Sequence, residues 1–142
     1  MKNLNFLFTL ICSVSMFNGG IAQKSTLIKS PDHTIAVEVL LNKDQQLVYN
    51  IRYRNVAVLQ NSSLGIVRED ADFSMGMQWV TVSDQLLIKD NYRILTAKKS
   101  SISYTANRKV ITVKNKEGGR MNLVFQVSND GVAFRYVFPG TS

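Results

Sequence analysis

A chain of 142 residues with 45% hydrophobic and 19% charged side chains holds enough apolar material for one compact domain, which excludes a disordered tail. Its net charge of +7 raises a nucleic-acid or membrane-surface reading. The placement of the basic residues argues against it: Lys98-Lys99, Arg108-Lys109, Lys114, Lys116 and Arg120 fall in predicted turns and on alternating strand positions, with no dense block, basic helix or RNA-binding aromatic signature.

Residues 1–22 read as a signal peptide. Lys2 gives a positive start, Leu4 to Phe17 is an apolar run, and Gly20-Ile21-Ala22 offers small residues where signal peptidase reads, so cleavage is expected after Ala22. An uncleaved anchor is disfavoured, because the run is interrupted by Asn5, Thr9, Ser13 and Ser15 and falls short of the roughly 20 apolar residues that span a bilayer. Cys12, the single cysteine, follows Ile11 where a lipoprotein signal would place a small residue. Cleavage removes Lys2 and Cys12, leaving 16 basic and 10 acidic residues, a net charge of +6, with neither a disulfide nor a thiol nucleophile. Secretion to the periplasm, with no membrane contact after cleavage, is the expected fate.

Beyond the leader, Ser30-Pro31-Asp32-His33 is a turn, since proline fixes φ and aspartate can cap its own backbone. It launches a strand over Thr34–Leu41, with Ile35, Val37, Val39 and Leu41 on one face. After a polar turn, Leu47–Arg54 alternates again, with Leu47, Tyr49, Ile51 and Tyr53 on one face, and completes a half-buried hairpin. Val56–Leu59 is a further short strand, Ser62–Val67 holds another, and Arg68–Ser74 reads as a polar loop. Trp79–Val82 resumes strand character, and Asp84–Arg93 reads as a segment crossing between two sheets.

The final third predicts four strands, Ser101–Thr105, Lys109–Lys114, Met121–Ser128 and Val132–Phe138. Ala106-Asn107-Arg108, Lys116–Gly119 and Asn129-Asp130-Gly131 join them into an antiparallel meander. Asp130-Gly131 supplies the residues of a type I′ turn, Val132, Phe134, Tyr136 and Phe138 share a face that is expected to be buried, and Arg135 points the other way. No helical periodicity is sustained anywhere, and about eight short strands with frequent turn signals predict an all-β antiparallel β-sandwich.

Candidate chemistry is sparse. His33, the only histidine, sits in a turn beside a proline, and a nucleophile–histidine–acid triad would have to be built on it. One histidine and no mature cysteine exclude the usual zinc ligand sets. Glu69, Asp70 and Asp72 supply oxygens that calcium favours, but they lack the spaced acids, glycine and closing glutamate of a calcium loop and read as a solvated loop. Trp79, Tyr92 and Tyr104 have flat faces that stack on sugar rings, although in a sandwich of this size most aromatics are core. Gly118-Gly119 lies in a hairpin and opens no helix, so it is no phosphate loop. No pair among the 10 carboxylates is selected for glycoside hydrolysis.

Behind the signal peptide, Ser30-Pro31-Asp32, Ser63-Leu64-Gly65, Arg120-Met121-Asn122-Leu123-Val124-Phe125 and Asn129-Asp130-Gly131-Val132-Ala133-Phe134-Arg135-Tyr136 follow one another in an order that resembles the amino-terminal domain of glycoside hydrolase family 97. The resemblance implies a galactose-mutarotase-like sandwich over residues 23–142, incomplete in this chain, that precedes a (β/α)8 barrel and a small carboxy-terminal β domain. It also implies a secreted, calcium-dependent α-glucosidase or α-galactosidase. The family's catalytic acids belong to the barrel, so the resemblance assigns no catalytic, metal or cofactor residue here. The chain is then expected to be an inactive part of a glycosidase, with a barrel in cis or in trans as partner, an α-glucoside or α-galactoside reached through the full enzyme, and no nucleic acid. A stand-alone carbohydrate-binding or adhesion sandwich is the alternative.

Overall fold

The structure, a computed structural model, describes residues 24–93 and 101–140, and gives the backbone alone for Tyr92, Arg93, Ser101 and Ile102. The expected signal peptide and Lys98-Lys99 lie outside the described residues. Nine strands and no helix occur among them. They are β1 (Ser25–Lys29), β2 (Ile35–Leu41), β3 (Leu47–Tyr53), β4 (Val56–Ser63), β5 (Gln78–Val82), β6 (Leu86–Arg93), β7 (Ser101–Lys114), β8 (Arg120–Ser128) and β9 (Val132–Val137).

Two antiparallel sheets form, as the alternation of apolar and polar residues requires. The first runs β1-β2-β3-β4 and the second β5-β7-β8-β9, with β6 also paired to β7. Ile35, Val37 and Val39 of β2 and Leu47 of β3 meet Ile111 and Val113 of β7 and Met121, Leu123, Phe125 and Val127 of β8 in one core, joined by Ile28 of β1. Each sheet thus buries the face that period-two spacing gave it. The tightest ring packing joins Phe125 and Phe134, whose centroids lie 5.3 Å apart, and Tyr49 from the opposite sheet lies 6.1 Å from Phe125 and 5.7 Å from Phe134.

Several expected elements are placed differently. Ser101–Thr105 and Lys109–Lys114 are one 14-residue strand, and Ala106-Asn107-Arg108 is no turn. Its register against β8 runs unbroken from Ala106 to Lys114. Asn107, a residue that favours turns, is held in the strand because its Nδ2 donates to the Lys29 carbonyl at 2.8 Å. Asp84–Arg93 is no crossing segment; β6 pairs residue by residue with the amino-terminal half of β7, while β5 takes the other half. A four-stranded meander does exist, but its members are β6, β7, β8 and β9. The sequence reading missed β1, and β4 extends to Ser63, so that Leu64–Val67 lies outside the named strands.

The turn chemistry also moves. Neither Asp130 nor Gly131 has positive φ, so that hairpin is not type I′. It is closed instead by the Ser128 amide donating to the Gly131 carbonyl at 2.9 Å and by Ser128 Oγ donating to Asp130. The left-handed pair is Arg54-Asn55, with φ of 48° and 66°, the geometry of a type I′ turn between β3 and β4. Val132 and Tyr136 of β9 and Phe138 just past its end are half-buried against the core, but Phe134 remains exposed. The face predicted to be buried points inward without being fully covered, because β9 is an edge strand.

One edge is managed by side chains. Lys109 Nζ donates to the Leu27 carbonyl at 3.0 Å and to Thr26 Oγ1 at 3.2 Å, and Asn107 takes the Lys29 carbonyl. These bonds give the outward carbonyls of edge strand β1 partners from β7, which joins the two sheets along that side.

Candidate functional site

The turn that carries His33 is organised around Asp32. Its Oδ1 accepts from Ser30 Oγ at 2.6 Å, from the Thr34 amide at 3.0 Å and from Thr34 Oγ1 at 2.8 Å. The Asp32 amide in turn donates to Asn129 Oδ1 at 3.1 Å, which ties this turn to the β8–β9 hairpin. Serine, histidine and aspartate are thus neighbours in sequence, but the aspartate binds the serine directly and His33 is exposed with φ of 62°. That arrangement fixes a turn and activates no nucleophile.

Glu69, Asp70 and Asp72 do not converge. Asp70 is ion-paired with Arg68 at 2.9 Å, and Asp72 Oδ1 accepts from the Ser74 amide at 2.7 Å and from Ser74 Oγ at 2.6 Å. Among the described residues no group of three or more histidine, cysteine or acidic side chains is placed to share a metal ion. The loop is tighter than its polarity suggests: Val67 and Asp72 form a bridge, the Phe73 amide donates to the Ile66 carbonyl at 2.9 Å, and the Phe73 side chain is buried.

The hydrogen bonds to Asp32 and Asp72 have a consequence for acid stability. The Ser30 hydroxyl, then the Thr34 amide, hold Asp32 below the usual carboxylate pKa, and Ser74 does the same for Asp72. A lowered native pKa stabilises the fold where the carboxylates are ionised, above about pH 4, and this stabilisation is lost as pH falls through the native values. The Asp32→Asn, Asp72→Asn double variant is therefore expected to lose less stability than wild type between pH 5 and pH 2; urea titrations at stepped pH test this.

An open groove of about 510 Å³ lies where this loop meets the β7–β8 hairpin and the end of β9. Arg68, Asp70, Glu117 and Arg120 give it hydrogen-bonding and charged groups, and Phe73 and Phe138 give it apolar surface. Asn115, nearly fully buried, fixes the junction: its Oδ1 accepts from the Gly119 amide at 2.7 Å and its Nδ2 donates to the Asp72 carbonyl at 3.2 Å. The Arg68 guanidinium sits over the Phe138 ring, 4.2 Å from its centroid, so that face of the ring is already occupied. Such a groove can hold polar groups but places no activated nucleophile.

Sequence reasoning missed the groove, since its walls come from three separate stretches of the chain that meet only in the fold. Of the aromatics it singled out, Trp79 packs half-buried against the core and Tyr104 is half-buried on β7, while the side chain of Tyr92 lies outside the described residues. Gly118 has φ of 88° in the β7–β8 hairpin, as a tight turn requires, and Arg135 is exposed on the outward face.

Comparison with known proteins decides what this sandwich is. Residues 28–142 match the family model described as Glycosyl-hydrolase 97 N-terminal. The chain belongs to glycoside hydrolase family 97. A probable retaining alpha-galactosidase from Streptomyces bingchenggensis (strain BCW-1) is 35% identical over 82 residues, which are 58% of this chain and 13% of that protein. Among solved structures, a beta-arabinopyranosidase superposes with a TM-score of 0.77 at 27% identity, over 82% of this chain and 18% of its own. A family 97 enzyme from Pseudoalteromonas sp. strain K8, solved in complex with panose, superposes with a TM-score of 0.74 at 23% identity over the same shares. At that identity the second likeness shows the fold alone. The family 97 chain described here therefore spans less than a fifth of the length of these relatives.

Proposed function

We infer that this chain is the non-catalytic amino-terminal β-sandwich of a secreted family 97 glycoside hydrolase, which supports a catalytic barrel and helps shape its carbohydrate site. The match of residues 28–142 to the amino-terminal family model carries the reading. The relatives named as alpha-galactosidase and beta-arabinopyranosidase, and the panose complex, support a glycoside as the substrate of the whole enzyme, with an α-galactoside or α-glucoside the first to try. Calcium is assigned to the whole enzyme, as the family resemblance implies. The barrel partner is assigned in cis or in trans, and the apolar leader to export into the periplasm.

The isolated chain, with or without added calcium, is expected to leave nitrophenyl α-galactoside and nitrophenyl α-glucoside intact in a chromogenic assay. Turnover above the buffer rate that survives repeated purification would overturn the non-catalytic assignment and direct mutagenesis to the chain's own carboxylates.

A further inference from the structure

The charge of the chain is not spread evenly over the fold. None of its 10 acidic residues falls in β5, β7, β8 or β9, whereas β7, β8 and β9 carry Arg108, Lys109, Lys114, Arg120 and Arg135. Lys109 turns inward, as its bonds to Thr26 and Leu27 of β1 show. The other four alternate with residues that pack inward, Ile111 and Val113 on β7, Met121 on β8 and Tyr136 on β9, and so lie on the outward face of this sheet. Among the described residues no carboxylate pairs with any of the four, the ion pair found being that of Arg68 with Asp70.

Two details show how this face is built. Arg108 stands opposite Gln126, and its Nε is buried with no hydrogen-bond partner among the described residues, so packing along the sheet and not a carboxylate fixes this side chain. Beside it, Val124, Gln126, Ala133 and Arg135 line an open cleft of about 150 Å³ in the same face.

Strand register sets the spacing of the charges. Val110, Val124 and Arg135 stand opposite one another across three strands. Arg108 is therefore two residues along and two strands across from Arg135, about 12 Å at the backbone, and Arg120 is four residues along and one strand across, about 14 Å. Cations so far apart do not converge on one small anion; they match negative charges repeated along an extended polymer. Three of the four are arginine, whose planar fork takes a carboxylate bidentately. The outward positions of β8 and β9 hold no aromatic ring on which nucleic-acid bases could stack.

We propose that the outward face of β7, β8 and β9 binds an anionic polysaccharide, whose repeated carboxylates pair with Arg108, Arg120 and Arg135 and whose hydroxyls reach Gln126 in the cleft. The choice of a glycan among polyanions rests on the reading given under Proposed function, while the sign and spacing of the charge rest on this face alone.

The test titrates polygalacturonate into the full chain by calorimetry, beside the same polymer with its carboxylates methyl-esterified. The acid polymer is expected to bind, about tenfold more weakly when salt is raised from low to physiological, and the ester to stay unbound. Arg120→Gln and Arg135→Gln change exposed side chains that make no hydrogen bond within the described residues. Each variant, with its circular dichroism unchanged, is expected to weaken binding about fivefold, whereas Lys43→Gln in the β2–β3 turn leaves binding as it was. No binding by wild type, equal binding of acid and ester, or full binding by both arginine variants overturns the proposal. A DNA oligonucleotide or anionic vesicles bound as tightly as polygalacturonate overturn it too. None of these outcomes touches the domain assignment, which stands or falls on hydrolysis by a chimera in which residues 28–142 replace the matched region of the Pseudoalteromonas enzyme.

Discussion

Phe125→Ala is expected to cost about 3–5 kcal/mol, a large share of the stability of a domain whose total is of order 5–15 kcal/mol. Phe125 is fully buried at the middle of β8, pairs directly with Phe134 on β9 and reaches Tyr49 in the other sheet. Its removal empties space that three strands line, and the two ladders of β8 hold the backbone so that the cavity closes only in part. Urea unfolding followed by far-ultraviolet circular dichroism should show the midpoint falling sharply, whereas Lys43→Ala in the exposed β2–β3 turn should stay within about 0.5 kcal/mol of wild type. Equal midpoints for the two variants would show that the inter-sheet core is not where the structure places it.

Leu64→Ala is expected to be nearly as damaging, at about 2–5 kcal/mol, although Leu64 belongs to no strand. Its side chain is fully buried, its amide donates to the Leu47 carbonyl at 2.8 Å, and its carbonyl accepts from the Tyr136 hydroxyl at 3.2 Å. Burial, with a smaller contribution from Tyr49, pushes the Tyr136 phenol above its ordinary pKa. With the backbone pinned from both sheets, the site cannot slide inward to refill the space. Urea midpoints again provide the measurement, and a loss below about 0.5 kcal/mol would show that this segment is peripheral.

These two residues mark where sequence reading works and where it stops. Phe125 lies in Met121-Asn122-Leu123-Val124-Phe125-Gln126-Val127, whose alternation identifies both strand and inward face, and the same signal exposed β2 and β3. Leu64, Phe73 and Met77 are equally buried but lie outside the named strands, where no alternation sustained over a strand's length marks the inward face. Asn107-Arg108 looked like turn punctuation because the propensity of asparagine is local, whereas the bond that holds it extended comes from Lys29, 78 residues away. The composition of Asp130-Gly131 favours a type I′ turn, whereas the left-handed pair is Arg54-Asn55, the two residues between the paired Tyr53 and Val56. The groove beside Arg68 and Asn115 was illegible for the same reason, as its walls meet only through tertiary packing. Family membership, by contrast, was readable, because the motifs from Ser30-Pro31-Asp32 to Asn129-Asp130-Gly131 follow one another within the 28–142 span that the family model matches.

We propose that this sandwich works as the amino-terminal part of a family 97 glycosidase and leaves catalysis to the rest of the enzyme. The most direct measurement is hydrolysis of nitrophenyl α-glucoside and nitrophenyl α-galactoside by the chimera that carries residues 28–142 on the Pseudoalteromonas enzyme, beside the same enzyme with that region deleted. The account predicts turnover by the chimera and none by the deleted enzyme. A folded chimera as inactive as the deletion, or a deletion as active as its parent, would contradict it.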